Sequence, residues 1–307
     1  MRIQRLGREN QSTQGAAKRS WYQRNSPGHL EAVRSVVLEA LAGQGGGLPG
    51  RVAILGAGAC TELPLEEVVE RAEEVALVDL DEFALQQARR QLPARLQGRV
   101  RLVVTDITGG VSGNLEQVLM GQRWQALKAQ GGTAVLEAAA RCLERCEVPQ
   151  PPEPGELRPG RLSAVISSLV VTQLWSYPLL DLTDLLNTLD PALAGQQYEH
   201  SLLGPAIARF KERVARGHLL LLARLLRPVG RAALITEVEG RLVPQTGQDA
   251  PGADAPLALL PARFQQMVGE LFEPMAGWRE WEWISDWPTA VRAGRTYRVA
   301  GAALAPR

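Results

Sequence analysis

The feature that most narrows the folds open to this chain is the run Val52-Ala53-Ile54-Leu55-Gly56-Ala57-Gly58-Ala59-Cys60. A short apolar stretch bounded by glycine, too short for a helix, reads as a strand buried on both faces. The Gly-x-Gly that ends it permits a tight turn and leaves bare backbone for a ligand to approach. A helical pattern at 63–72 follows at once. Strand, glycine turn and helix in that order open a parallel α/β sheet, not a sandwich or a bundle.

The same rhythm continues. Residues 75–78 form a second apolar run, and 82–92 a helix with Phe83, Ala84, Leu85 and Ala88 on one face and Pro93 beyond its end. A third strand spans 100–104, and later strands are expected at 162–166, 232–237, near 281–284 and at 297–303. Together they predict a doubly wound, mostly parallel, seven-stranded α/β sheet. Residues 112–160 interrupt the alternation, with helical pattern in two pieces up to 147 and then a Pro/Glu/Gly loop at 149–159, and read as an insertion. The 179–227 stretch is mostly helical, broken at Asp190-Pro191 and Gly204-Pro205, and 262–271 is a further helix. Residues 239–261, rich in Gly, Ala, Pro and Asp, are a low-complexity excursion. Ahead of the sheet, 1–20 are expected to be a flexible basic tail. Residues 21–50 form a helical segment, with Leu30, Val33, Val36, Val37, Leu38 and Leu41 at helical spacing behind Ser26-Pro27. Residues 51–307 then make the ligand-binding domain.

Bulk composition removes several classes of partner. The 307 residues carry a net charge of +1, with 45% hydrophobic and 22% charged residues, so no global field invites nucleic acid or an anionic membrane surface. The longest apolar run, 219–223, is followed directly by Arg224, too short to span a bilayer. The basic N-terminal stretch has no apolar signal region, and a cytoplasmic protein is expected. Cys60, Cys142 and Cys146 are an odd, sparse set that fits a reducing compartment. Cys142 and Cys146 share a helix face, but with only His29, His200 and His218 as further soft ligands they read as buried thiols and no metal is expected. Trp278, Trp281, Trp283 and Trp287 invite an aromatic cage; Trp281 and Trp283 share one face of a strand, where packing under a covering helix is expected.

Polar groups punctuate the strand ends. Asp79 closes the second strand about 20 residues after the glycines, where a carboxylate can grip both hydroxyls of a ribose. Asp81 is placed to cap the helix that begins at Glu82. Asp106 follows the third strand in Val103-Val104-Thr105-Asp106-Ile107. Asp79 could instead serve as a cap and Asp106 as a turn stabiliser, but their joint occurrence at one sheet edge predicts a nucleoside cofactor. A dinucleotide fingerprint would need a third glycine where Thr61 stands, and Glu62 just beyond opposes a phosphate. A nucleoside without a phosphate, such as S-adenosylmethionine (SAM), fits better than NAD.

Gly56-Ala57-Gly58 with Leu77-Val78-Asp79-Leu80-Asp81 resembles the opening motifs of the class I SAM-dependent methyltransferases, of the small-molecule type. Val103 to Ile107 resembles their third-strand motif, and Val165-Ile166-Ser167-Ser168-Leu169-Val170-Val171-Thr172 their fourth strand and its turn. The segment from His218 through Pro228-Val229-Gly230 to Val238 is similar to their last helix, Pro-x-Gly turn and fifth strand. The likeness runs in order from about residue 50 to 303, outside 112–160 and 239–261. It implies a Rossmann-like fold and SAM as cofactor, with Gly56, Ala57 and Gly58 along the methionine portion and Asp79 and Leu80 at the ribose. It also implies Asp106 and Ile107 at the adenine, and Ser167 and Ser168 beside the sulfonium. The sequence departs from the family at Ile54, often acidic there, and at Cys60, often glycine. The acceptor is expected to be a small molecule. No catalytic residue stands out: Tyr198, His200 and Glu237, with Tyr177 and Glu199, are candidates for moving a proton, and His218 reads as scaffold. The alternatives are an aminopropyl transferase, a non-catalytic SAM-binding protein, or an RNA-modifying enzyme using the basic N-terminus.

Overall fold

A computed structural model describes residues 15–42, 50–153, 155–244, 256–286 and 293–307. The first part of the expected tail, the middle of the 239–261 excursion and Trp287 lie outside these. Two helices, α1 (Gly15–Asn25) and α2 (Pro27–Leu41), precede the sheet, so helix begins within the stretch expected to be a tail. The alternating unit follows as β1 (Arg51–Leu55), α3 (Leu65–Glu70), β2 (Glu74–Asp79), α4 (Glu82–Arg90), the short α5 (Ala94–Gln97) and β3 (Val100–Val104). Then come α6 (Val111–Met120), α7 (Trp124–Gln130), α8 (Gly132–Arg145), β4 (Leu162–Ser168), α9 (Gln173–Leu189), α10 (Pro191–Gln196), α11 (Leu203–Leu225) and β5 (Leu226–Val243). The chain closes with β6 (Leu257–Ala258), α12 (Phe264–Leu271), β7 (Phe272–Pro274), β8 (Arg279–Asp286) and β9 (Gly294–Pro306).

The strand order is β3-β2-β1-β4-β5-β9-β7, with β6 on the free side of β5 and β8 on β9. Neighbours from β3 to β5 are parallel, and β9 runs against β5. Both β7 and β8 run against β9, which returns them to the direction of the parallel core, so the sheet is mostly parallel and Rossmann-like. It has nine strands where seven were expected. The additional two, β6 and β7, have 2 and 3 residues, too few for an alternation to register in sequence. Part of the presumed excursion is strand, because β5 runs on to Val243 and pairs there with the start of β9.

Apolar cores lie on both faces of the sheet. One joins Val52, Ile54, Leu77, Ile166 and Ile235 to the buried stripes of α2, α3 and α4, with Tyr22 and Trp283 at its margin. The other joins Leu55, Val78, Val103, Val165 and Leu234 to α6, α8, α9, α11 and α12. Burying a side chain such as Leu or Ile stabilises by about 1.5–3 kcal/mol, and alternate strand residues supply each core, so the register is firmly set. The 112–160 insertion spends its apolar face on the second core through Val135, Leu136, Ala139, Cys142 and Leu143. Burial pushes the Cys142 and Cys146 thiols up to about 11, so both are neutral at physiological pH. Among the described residues no helix is long and apolar enough to cross a membrane.

The strand order has a functional consequence. From β1 the chain winds outward through β2 and β3, then returns to the other side of β1 with β4. That reversal opens a crevice at the carboxyl ends of β1 and β4, the usual ligand position in open α/β sheets. Register brings Leu55 level with Val78 and Ser167, and Ser168 level with Ile235, so the polar strand ends meet at one edge.

Candidate functional site

The turn after β1 is held open by left-handed backbone at Gly56, Gly58 and Cys60, with φ of 64°, 48° and 51°. The two glycines serve different needs. A Cβ on Gly56 would stand 2.2 Å from Cγ2 of Val170, so its missing side chain makes room for the segment after β4. A Cβ on Gly58 would meet nothing within 4 Å, so that backbone faces open space. Cys60 occupies the third position of the turn in a conformation that costs an ordinary residue about 1–2 kcal/mol. Its side chain is buried in the core beneath the turn. Ile54, where the resembling family often has an acid, is likewise fully buried.

Asp79 ties this turn to the end of β2. Its Oδ2 accepts from the backbone N–H of Gly58 at 2.9 Å, and its Oδ1 accepts from that of Asp81 at 3.0 Å. Burial raises its pKa, opposed by these backbone hydrogen bonds. Asp81 caps α4 by accepting from Ala84 N–H at 3.0 Å. Leu80, between them, is exposed and offers a flat apolar surface beside the carboxylate. Ala57 is buried, its N–H donating to Val78 C=O at 3.0 Å.

Asp106 lies one strand further out. Its Oδ1 accepts from the backbone N–H of Thr108 at 2.8 Å and from the Thr108 hydroxyl at 2.6 Å, which closes the turn after β3. Ile107 points into the core on the α11 side, where it lines a small crevice with Val111, Pro149, Leu174 and His218.

The adjacent serines at the end of β4 face opposite ways, as strand alternation requires. Ser167 Oγ is 2.8 Å from His218 Nε2, both fully buried against α11. Burial lowers the His218 pKa to about 4, so the ring is neutral. Ser168 turns to the α2 face, where its buried hydroxyl has no hydrogen-bond partner among the described residues. The next residue, Leu169, holds a left-handed φ of 53°, and its N–H donates to Ile235 C=O at 2.9 Å. Beyond it, the Thr172 hydroxyl donates to Oε2 of Glu237 at 2.9 Å. Burial pushes the Glu237 carboxyl up to about 7, with Glu62 adding to the rise.

The proton-transfer candidates separate clearly. Glu237 is buried at the carboxyl edge of the sheet. His200 Nδ1 accepts from the N–H groups of Leu202 and Leu203 at 3.3 Å and caps α11. Tyr198 is exposed with Lys211 over its ring, and Tyr177 and Glu199 are exposed as well. Sequence reasoning passed over Thr172, Tyr22 and the His218 contact. Thr172 ends the fourth-strand segment with nothing to mark its partner, Tyr22 has no periodic or motif signal, and His218 reads as scaffold from its helical surroundings. Trp281 and Trp283 pack under α2: Trp281 Nε1 donates to His29 Nδ1 at 2.9 Å, and Trp283 stacks on the His29 ring at 4.5 Å.

No protein-family model matches the sequence, and no curated protein matches it. Solved structures are similar to it at low identity. A structure described under conversion of a disulfide bond into a thioacetal group during echinomycin biosynthesis is 13% identical with a TM-score of 0.40, over 88% of this chain and 79% of the other. A Bacillus halodurans protein, assigned provisionally as a methyltransferase, is 12% identical with a TM-score of 0.41, over 89% and 98%. A geranyl diphosphate methyltransferase in complex with SAM is 13% identical with a TM-score of 0.38, over 97% and 92%. On its own strand order, a parallel β3-β2-β1-β4-β5 core followed by an antiparallel strand, the chain has the class I methyltransferase fold.

Proposed function

We propose that the chain is a SAM-dependent methyltransferase acting on a small molecule. The observation that carries this reading is the Gly58–Asp79 hydrogen bond, which joins the open glycine turn to a carboxylate at the carboxyl edge beside the β1/β4 crevice. Asp79 keeps lone pairs for the ribose hydroxyls, the Gly58 backbone borders the methionine portion, and exposed Leu80 lies against the sugar. Asp106 stands where an adenine amine would be met. Bound SAM supplies a methyl group on a positively charged sulfur, which leaves as a neutral thioether. The protein's part is then alignment and, where the acceptor must lose a proton, a base. Glu237 fills that second role, being buried at the same edge with a pKa near neutrality.

NAD is a poorer fit, because Glu62, which accepts from Thr61 Oγ1 at 2.6 Å, stands where a pyrophosphate would need an anion-receiving helix start. Aminopropyl transfer is not favoured, since Ser167 and Ser168 replace the acidic cluster that such a reaction needs directly after β4. Calorimetric titration with SAM and, separately, NAD tests the reading. Micromolar SAM binding is expected with no NAD binding, and Asp79→Ala or Gly58→Leu should weaken SAM at least about tenfold, the loss of one good charged hydrogen bond. Full SAM affinity in both variants would refute the assignment.

A further inference from the structure

Glu237 sits on β5 two residues beyond Ile235, on the sheet face covered by α1 and α2. The groups around it come from every neighbouring element. Thr172, after β4, donates to it, and Glu62, after β1, lies within electrostatic reach. Tyr22 of α1 has Glu62, Glu237, Asp286 and Tyr297 as charged or ionisable neighbours, and burial together with these acids raises its pKa. A nearby cation is Arg295, which hydrogen-bonds Tyr297 and stands across the strand pair from Asp286. Among the described residues no cation contributes to the charge environment of Glu237 itself. The walls are aromatic: Trp283 meets Tyr22 edge-on at 5.7 Å and Tyr297 at 5.5 Å.

Ser168 adds an independent sign of a ligand. It is 5% exposed, faces the same side of the sheet one strand away, and its hydroxyl has no partner among the described residues. A buried hydroxyl without a partner costs free energy, and a ligand donor on the sheet face that Ser168 shares with Glu237 would relieve it.

We propose that the methyl acceptor is an amine, received as its ammonium between Glu237 and Glu62 against the rings of Tyr22, Trp283 and Tyr297. The inference deepens the methyltransferase reading and rests on it. Carboxylates supply the opposite charge, and aromatic faces add cation–π attraction. The ionised Glu237 removes one proton from the ammonium, freeing the nitrogen lone pair. That nitrogen attacks the sulfonium methyl carbon; the N–C bond forms as the C–S bond breaks, with its electron pair staying on sulfur. The product leaves as an N-methylammonium, and Glu237 returns its proton to solvent.

The test compares two probes with one carbon skeleton, phenethylamine and 2-phenylethanol, titrated calorimetrically into the full chain with S-adenosylhomocysteine present. Putrescine against 1,4-butanediol repeats the comparison without an aromatic ring. At pH 8 at least one amine should bind tenfold or more tightly than its alcohol, and the preference should shrink at pH 6 as Glu237 takes up a proton. Glu237→Gln should abolish the preference, and Glu62→Gln, at a half-exposed position that tolerates the change, should reduce it severalfold. Equal response to amine and alcohol, including none to either, overturns the proposal, as does a preference untouched in both variants. SAM is titrated into the same samples. SAM binding without amine preference removes only this inference, whereas amine preference without SAM binding leaves the acidic site and removes methyl transfer.

Discussion

Val170 fills the space that a side chain at Gly56 would occupy, with its Cγ2 2.2 Å and its Cβ 2.8 Å from where that side chain would begin. The segment after β4 therefore locks onto the turn after β1 across the crevice. Gly56→Ala should lower stability by about 3 kcal/mol, adding overpacking to left-handed strain at φ 64°. Adding Val170→Ala removes the nearer clash but leaves the one at 2.8 Å, so rescue should be partial. Thermal melts of the single and double variants decide it; a Gly56→Ala melt within about 2 °C of the parent would exclude the close contact.

The opposite facing of Ser167 and Ser168 separates scaffold from site within one dipeptide. Ser167→Ala leaves His218 Nε2 buried without its partner, and should cost about 1–3 kcal/mol while SAM affinity is unchanged. Ser168→Ala removes an unpaired buried hydroxyl, so stability should hold or rise slightly while ligand affinity falls. Denaturant unfolding and calorimetric titration of both variants read the two quantities. The reverse pattern would put Ser167 at the ligand.

The parallel core was legible because each of its strands is an apolar run closed by a glycine or a polar residue, with serines doing so at the end of β4. Asp81 as a helix cap and Trp283 as a packed side chain followed from position and alternation alone. What lay hidden had no local signature. β6 and β7 depend on β5 and β9 as templates and have no pattern of their own. The Ser167–His218 contact spans 51 residues and exists only once α11 packs on β4, and Thr172–Glu237 spans 65 and exists only once β4 and β5 pair. Gly56 had a visible role in the turn, but its contact with Val170 required the register of β1 on β4. Cys60 stood out only as a departure from glycine, because a sequence gives no direction for a side chain in a left-handed turn.

Cys60 tests that last point. Glycine there would relieve left-handed strain of about 1–2 kcal/mol and forfeit a buried side chain of comparable worth, so Cys60→Gly should leave stability nearly unchanged. Cys60→Val sets a β-branched residue at φ 51° and should cost more than about 2 kcal/mol. Since the side chain lies in the core, SAM affinity should be the same in Cys60→Gly as in the parent. An affinity gain on removing the thiol would mean that it does reach the ligand.

Glu237 should leave a mark on the pH dependence of folding. Its pKa rises from 4.5 to about 7 on folding, by burial first and then by Glu62. Between those values the folded chain keeps a proton that the unfolded chain has lost, so this group's contribution is full below pH 4.5 and falls as pH rises through 7. Over that window the loss is about 3 kcal/mol, at about 1.4 kcal/mol per pH unit. His29 and His218 act in the opposite sense, since burial lowers both to about 4 and their contribution is lost as pH falls below 6.5. The parent's own profile therefore mixes the two. The difference between parent and Glu237→Gln isolates the carboxyl, because glutamine can still accept from Thr172 but does not titrate. Urea unfolding at intervals from pH 4.5 to 8 should show the parent losing about 3 kcal/mol relative to the variant. A difference that stays flat across the window would mean that Glu237 has an ordinary carboxyl, and would take from it the role of base at neutral pH.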